Sequence, residues 1–248
     1  MSPEVTFQKW PLTRKTNNQY FSAAQILVLM NALTKYWFLE GFDLFKKLEK
    51  SSLMQMCELL EMEYFDRGKT IELHNRDKKS IYFLKKGALK IADRTNNTAK
   101  FIVKKGNLFG ELSLYDKEAA AEEMAITLED SIICHIESNQ MEALMEKHNS
   151  LKNGILKLYG IRIKKLERRL QDLIYKDSAT RIKEFIIDYI HEFGEEKNDR
   201  FVAKNLLSHK EIANLTNTSR QTVSNILSKL RKERLIDYGS GHISLLKI

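Results

Sequence analysis

The sequence predicts an α+β chain in three parts: a jelly roll of short strands (a double-stranded β-helix), one long helix, and a C-terminal winged helix-turn-helix. Three observations predict it. Short β-type runs separated by glycine turns fill the stretch that ends at Ile136. An apolar stripe sustained over many helical turns then runs to about Tyr175. Two short capped helices and a strand-turn-strand close the chain.

Taken in order, Met1–Gln19 is polar and unpatterned and carries both prolines, Pro3 and Pro11, which predicts a loose arm. Ile26, Leu29, Met30, Leu33 and Trp37 recur at helical spacing, so a helix is expected over Phe21–Leu39, closed by Gly41. Residues 1–40 are therefore expected to be an extension. A second helix is expected from about Asp43 to Glu61, on Leu44, Phe45, Leu48, Leu53, Met56 and Leu59-Leu60.

Strands are expected at Met62–Phe65, Thr70–Leu73, Ile81–Leu84, Leu89–Ala92, Lys100–Val103, Met124–Leu128 and Ser131–Ile136. Gly68, Gly87 and Gly106 are 19 residues apart, which suggests a recurring corner and a roll domain over 41–136. From 137 to 176 one continuous helix is expected. Leu144, Leu151 and Leu158 keep a step of seven; Ile155, Tyr159, Ile163, Leu166, Leu170 and Leu173 then step by four or three. Roughly 40 residues of helix would span about 60 Å, far beyond one small core, so the stripe reads as a seam between two copies. Gly154 and Gly160 should weaken that helix locally. Lys176-Asp177-Ser178 breaks the pattern, and a helix over Ala179–Phe193 follows, closed by Gly194. Gly194–Arg200 reads as a charged loop, and 177–248 as the last domain.

Composition narrows the function. The formal net charge is +8 and apolar residues make up 43%, so the chain can build real cores and its partner should be anionic. Residues 1–136 carry net +2, 137–176 net +4, 177–204 net −2 and 205–248 net +4. Two distant cysteines, Cys57 and Cys134, exclude a disulfide framework, a cysteine-rich zinc module and an iron–sulfur cluster; both read as buried structural thiols. No apolar run reaches about 18 residues and no signal segment opens the chain, so a cytoplasmic protein with no membrane partner is expected. Walker A, G-x-S-x-G, H-E-x-x-H and C-x-x-C motifs are all missing, so no enzyme is expected.

The segment 207–234, LSHKEIANLTNTSRQTVSNILSKLRKER, carries the function. Ser208 with Glu211 forms a capping box ahead of Ile212, Ala213 and Leu215. Asn217-Thr218 makes the turn, Ser219 caps a second helix, and Val223, Ile226, Leu227 and Leu230 form its buried stripe. That pattern is a helix-turn-helix. Arg220, Gln221, Ser224 and Asn225 are left at the exposed start of the second helix, where Arg can grip guanine and Gln or Asn adenine. Ser208, Lys210, Ser219, Thr222 and Lys229 suit phosphate contacts. Leu235–Tyr238 and His242–Leu246, joined at Gly239-Ser240-Gly241, form the wing.

In this order of parts, Gly41 to Ile248 resembles the cyclic-AMP receptor/FNR family of bacterial transcription regulators. Phe109-Gly110-Glu111-Leu112-Ser113-Leu114 resembles the start of the family's phosphate-binding cassette. Glu211-Ile212-Ala213 with Ser219-Arg220-Gln221-Thr222-Val223-Ser224 resembles its DNA-reading helix pair. The resemblance implies a homodimer on an inverted-repeat operator, in contact with RNA polymerase, with Leu151, Ile155, Leu158, Tyr159, Leu166 and Leu170 in the dimer helix. It also implies that Arg220, Gln221 and Asn225 read bases.

The ligand site departs from that pattern. Cyclic-nucleotide binders continue the cassette to an Arg followed by Ser or Thr, and these positions fall here on Ala121 and Glu122. No Ser or Thr lies between Leu151 and Lys176. The pocket, including Gly110, Glu111, Leu112 and Ser113, is therefore expected to be degenerate, and cyclic AMP is not expected to bind. The effector stays unassigned and no cofactor is expected. The alternative is a sensor of another small molecule or of a haem-bound gas, with His74, His135 or His148 as axial candidates, although a lone His is usually structural.

Overall fold

A computed structural model describes residues 34–40, 42, 44–46, 48–73, 79–110, 114, 123–197, 200–239 and 241–246. The loose arm and most of the first expected helix lie outside these residues. Its end, α1, is helical over residues 34–40. Helix α2 spans Lys50–Leu59, starting later than its sequence pattern suggests. Residues 44–46 form a turn instead, because Phe42, Phe45 and Leu48 are linked by short-range carbonyl bonds and both Phe rings pack on Phe83.

Eight strands build the roll: β1 (Glu61–Phe65), β2 (Thr70–Glu72), β3 (Ser80–Lys86), β4 (Ala88–Asp93), β5 (Ala99–Lys104), β6 (Leu108–Phe109), β7 (Glu123–Thr127) and β8 (Ser131–Glu137). They pair antiparallel as two four-stranded sheets, β1-β8-β3-β6 and β2-β7-β4-β5. Strand β6, two residues long, is too short to show in a period-two pattern. Leu84, Leu89, Ile91, Phe109, Ala125 and Ile133 meet between the sheets. The alternate residues of β3 and β8, namely Ile81, Phe83, Cys134 and Ile136, face a second core with α1, α2 and the next two helices. Strands β3 and β8 are thus buried on both faces, so they read as nearly continuous apolar runs. Both cysteines lie in this second core, where burial pushes each thiol up to about 11.

The 19-residue glycine spacing marks real corners, since Gly68, Gly87 and Gly106 have φ of 81°, 93° and 86°. Left-handed backbone costs an L-residue about 1–2 kcal/mol. At Gly87 space adds to strain, because a Cβ there would lie 2.3 Å from Ser131 Oγ.

The long helix expected over 137–176 is two helices, α3 (Ser138–Lys147) and α4 (Asn149–Tyr175). His148, at φ −125° and ψ 92°, separates them. The chain turns there because Met141, Leu144 and Met145 of α3 and Leu151 and Ile155 of α4 all bury in the same core. The seven-residue step from Leu144 to Leu158 crosses this break and is not one helical seam. Gly154 is a close approach rather than a weak point: a Cβ there would lie 2.5 Å from Leu44 Cδ1.

Helix α5 (Ser178–Phe193) follows, its N-cap Asp177 accepting from Thr180 N at 2.7 Å. The segment expected as a charged loop contains strands β9 (Glu195–Lys197) and β10 (Arg200–Lys204). Helices α6 (His209–Thr216) and α7 (Arg220–Lys232) come next, then β11 (Ile236–Tyr238) and β12 (His242–Leu245). The last sheet runs β11-β12-β10-β9, so the wing hairpin is extended by the two strands the sequence pattern hides. Among the described residues no helix is long and apolar enough to cross a membrane.

In urea unfolding, Gly106→Ala should cost about 1–2 kcal/mol, the left-handed penalty alone. Gly87→Ala should cost more than that, and equal losses would show that the contact with Ser131 relaxes freely.

Candidate nucleic-acid interface

Helix α6 starts because Ser208 satisfies its free amides. Ser208 Oγ accepts from Glu211 N at 3.3 Å, and Ser208 N donates back to Glu211 Oε2 at 2.7 Å, a complete capping box. It stops at Asn217, whose left-handed φ of 51° and ψ of 57° turn the chain. Arg181 on α5 ties that turn down, donating to the carbonyls of Thr216 and Asn217, both at 3.1 Å. Ser219 then caps α7, accepting from Thr222 N at 3.0 Å.

Val223, Leu227 and Leu230 bury one stripe of α7 against α5 and α6, with Ile226 partly buried beside them. The opposite face carries Arg220, Gln221 and Asn225 exposed and Ser224 half-buried. Gln221 Nε2 donates to Asn225 Oδ1 at 3.0 Å, pairing the two amides one turn apart. Ser208, Lys210, Ser219 and Lys229 are exposed and Thr222 half-buried. Ser219 and Thr222 also share a hydroxyl bond of 2.8 Å, so both expected phosphate contacts sit on one cap.

The structure separates the expected seam residues. Leu151 and Ile155, each 1% exposed, belong to the chain's own core, and Leu158 and Tyr159 pack partly against it. Those first two positions are therefore a correction: they are not open to a partner. Leu166 and Leu170, at 60% and 59% exposure, are bare, as are Leu156, Ile163 and Ile174.

Of the expected effector pocket, Glu111, Leu112, Ser113, Ala121 and Glu122 lie outside the described residues. Gly110 has a φ of 76°, and a Cβ there would lie 2.9 Å from Tyr82 Cδ2. Among the haem candidates His74 also lies outside. His135 Nε2 stands 3.2 Å from Glu63 and 3.7 Å from Glu61. His148 Nδ1 stands 3.5 Å from Ser52 Oγ.

One functional contact escaped the sequence reading. Lys90 of β4 reaches Glu211 Oε1 at 2.6 Å, with the side chains only 11% and 17% exposed. The lysine breaks an otherwise apolar strand, ALKIAD, which is the signal that could have found it. Around this pair Ala88, Ala99 and Leu128 of the roll share one core with Ile212, Leu215 and Val223 of the helix pair. Arg169 of α4 crosses the same boundary, donating to Lys100 O at 2.8 Å and Asn214 O at 3.4 Å, and Lys204 pairs with Glu129. The helix-turn-helix is thus docked on its own roll.

Comparison with known proteins places these parts. Residues 62–148 match the cyclic nucleotide-binding domain and residues 180–248 match the Crp-like helix-turn-helix domain. The chain belongs to the Crp/Fnr family. It is a DNA-binding transcription regulator of that type. The global nitrogen regulator of Synechococcus elongatus is 29% identical over 71% of this chain and 82% of its own. The anaerobic regulatory protein of Bacillus subtilis is 24% identical over 83% and 84%. The solved structure of FixK2 from Bradyrhizobium japonicum superposes with a TM-score of 0.64 at 14% identity, over 76% of this chain and 93% of that one. The Crp/Fnr fold therefore extends over the roll, the long helix and the helix-turn-helix together.

Two outcomes follow from the Lys90–Glu211 pair. Lys90→Met should cost about 1.5–3 kcal/mol in thermal unfolding, the range for a hydrogen bond to a charged group. Burial alone would raise the Glu211 carboxyl, but the bonds from Lys90 and Ser208 outweigh it and hold the group below its ordinary 4.5. A lowered folded value means the stabilisation is complete above the ordinary value and drains away as pH falls through the lowered one. Melting curves from pH 6 down to pH 3 should therefore fall more steeply for the wild type than for Lys90→Met.

Proposed function

We propose that this chain acts as a homodimer that reads an inverted-repeat operator through α7 and contacts RNA polymerase from the bound state. The observation that carries the reading is the division of α7 into a buried stripe, Val223, Leu227 and Leu230, and an open polar start. Arg220 and the amides of Gln221 and Asn225 have the donors and acceptors of guanine and adenine edges, and Ser224 flanks them. Ser208, Lys210, Ser219, Thr222 and Lys229 surround this tip and would fix register on phosphates. The exposed stripe of Leu166 and Leu170 supports the dimer, since bare leucines on a long helix gain about 25 cal/mol per Å² when covered. A family of DNA-binding regulators supports the class.

The parts then divide as an extension over 1–40, a roll over 41–136, a helical segment over 137–176 whose second helix, α4, carries the dimer stripe, and a DNA-binding domain over 177–248. The roll, with Ala121 and Glu122 where a cyclic phosphate needs Arg and a hydroxyl, has lost the chemistry for cyclic AMP. Its place of action is the cytoplasm, where the operator is.

Selection and sequencing of bound genomic fragments tests the reading. The expected outcome is an enriched palindrome with half-sites one helical turn apart, about 34–36 Å. Salt-sensitive binding with no sequence preference would refute it. Arg220→Ala should weaken binding to the selected site by about 1–3 kcal/mol and relax one base position. A uniform loss over all sequences would place Arg220 on phosphate instead. Leu166→Glu with Leu170→Glu should leave a folded monomer in sedimentation, and a surviving dimer would move the seam elsewhere. Calorimetry should give no micromolar binding of cyclic AMP.

A further inference from the structure

A cleft of about 590 Å³ lies where β5, the second half of α4, α5 and the end of α6 meet. Small-molecule sites commonly measure roughly 300–1,000 Å³. One wall is aromatic: Phe185, Tyr189 and Phe193 stack one turn after another, with ring centroids 6.3 Å and 4.8 Å apart, and Phe101 faces the same space.

The charges around it are unequally answered. Each acid of the lining has a cation: Lys176 stands 2.6 Å from Asp172 and 2.5 Å from Glu184, Arg168 3.7 Å from Asp188 and Lys165 3.8 Å from Glu192. Arg169, half-buried, makes no salt bridge among the described residues, whereas Arg181 acts on the Asp177 carboxylate. Arg181 is filled by the carbonyls of Thr216, Lys176 and Asn217 and the Ser178 hydroxyl. Arg169 donates to two carbonyls, of Lys100 and Asn214, which leaves donors of its five over. Burial pulls Arg169 down from its ordinary pKa, yet a guanidinium keeps its proton. A charge held this way, beside an aromatic wall, lacks an anion.

We propose that this cleft binds a small organic acid with a flat apolar body, and that Arg169 holds its acidic group. The ring system lies along Phe185; the carboxylate, sulfonate or phosphate completes the guanidinium with charge-assisted bonds. Gly110, the described residue of the expected effector pocket, does not line this cleft. Its walls come from the roll, from α4 and from the DNA-binding domain, so an occupant favours the docked arrangement over any in which the domains part. That regulatory half rests on the DNA-binding reading above; the binding itself does not.

The test uses the full-length protein with 8-anilinonaphthalene-1-sulfonate as fluorescent probe. The expected result is saturation at one probe per chain, with naphthalene-2-sulfonate displacing it about tenfold better than uncharged naphthalene-2-methanol. Arg169→Gln removes the charge and leaves an amide two bonds short of the guanidinium's reach. It should raise the probe's Kd about tenfold, while Lys105→Gln, exposed and off the cleft, should not. Equal displacement by acid and alcohol, or an unchanged Kd in Arg169→Gln, overturns the proposal. Should that variant fail to fold, the acid-against-alcohol comparison on the wild type still decides. Saturating naphthalene-2-sulfonate should also slow tryptic cleavage at Lys176, between α4 and α5, and cleavage at an unchanged rate would overturn the regulatory half alone. Failure to select a palindrome would sink the DNA reading and leave these titrations standing.

Discussion

Glu211 spends its two carboxylate oxygens on two different domains. One closes the cap of α6 through Ser208, and the other holds Lys90 of the roll. A buried lysine is tolerable only with such a partner, since an unpaired charge in an apolar strand would cost several kcal/mol. The first turn of the helix-turn-helix and the strand β4 are therefore mutually conditional. Everything beyond depends on that: the shared core of Leu128 with Leu215, the bridge of Arg169, and the cleft between α4 and α5 all exist because the domains are held in contact.

This placement also explains the division of α4. Its first half is committed to the roll by Leu151 and Ile155, and the second half is bare along Leu166 and Leu170 while Arg169 reaches sideways to the docked domain. One helix thus carries two contacts within the chain and one bare apolar stripe.

What was legible in the sequence was whatever depends on local rules. Caps, the Asn217 turn, the stripe of α7 and the left-handed corners at Gly68, Gly87 and Gly106 follow from single residues or short periods, and all are present. Features that depend on distant contacts were not legible. Nothing within 138–175 marks His148 as a break; the turn arises because two amphipathic helices share one core. Strands β9 and β10 carry Glu, Lys and Arg at their ends and become strands only because β10 pairs with β12 and β9 with β10. Glu211 read as a cap and nothing more, because its second partner lies 121 residues away.

The pairing of Gln221 with Asn225 has a consequence for how DNA is read. Each amide constrains the rotamer of the other, so under the proposed reading the two would not choose bases independently. A base change opposite one would free or strand the group facing the other. Preferences at the two positions would then be correlated, and a table of independent base frequencies would describe this recognition helix poorly.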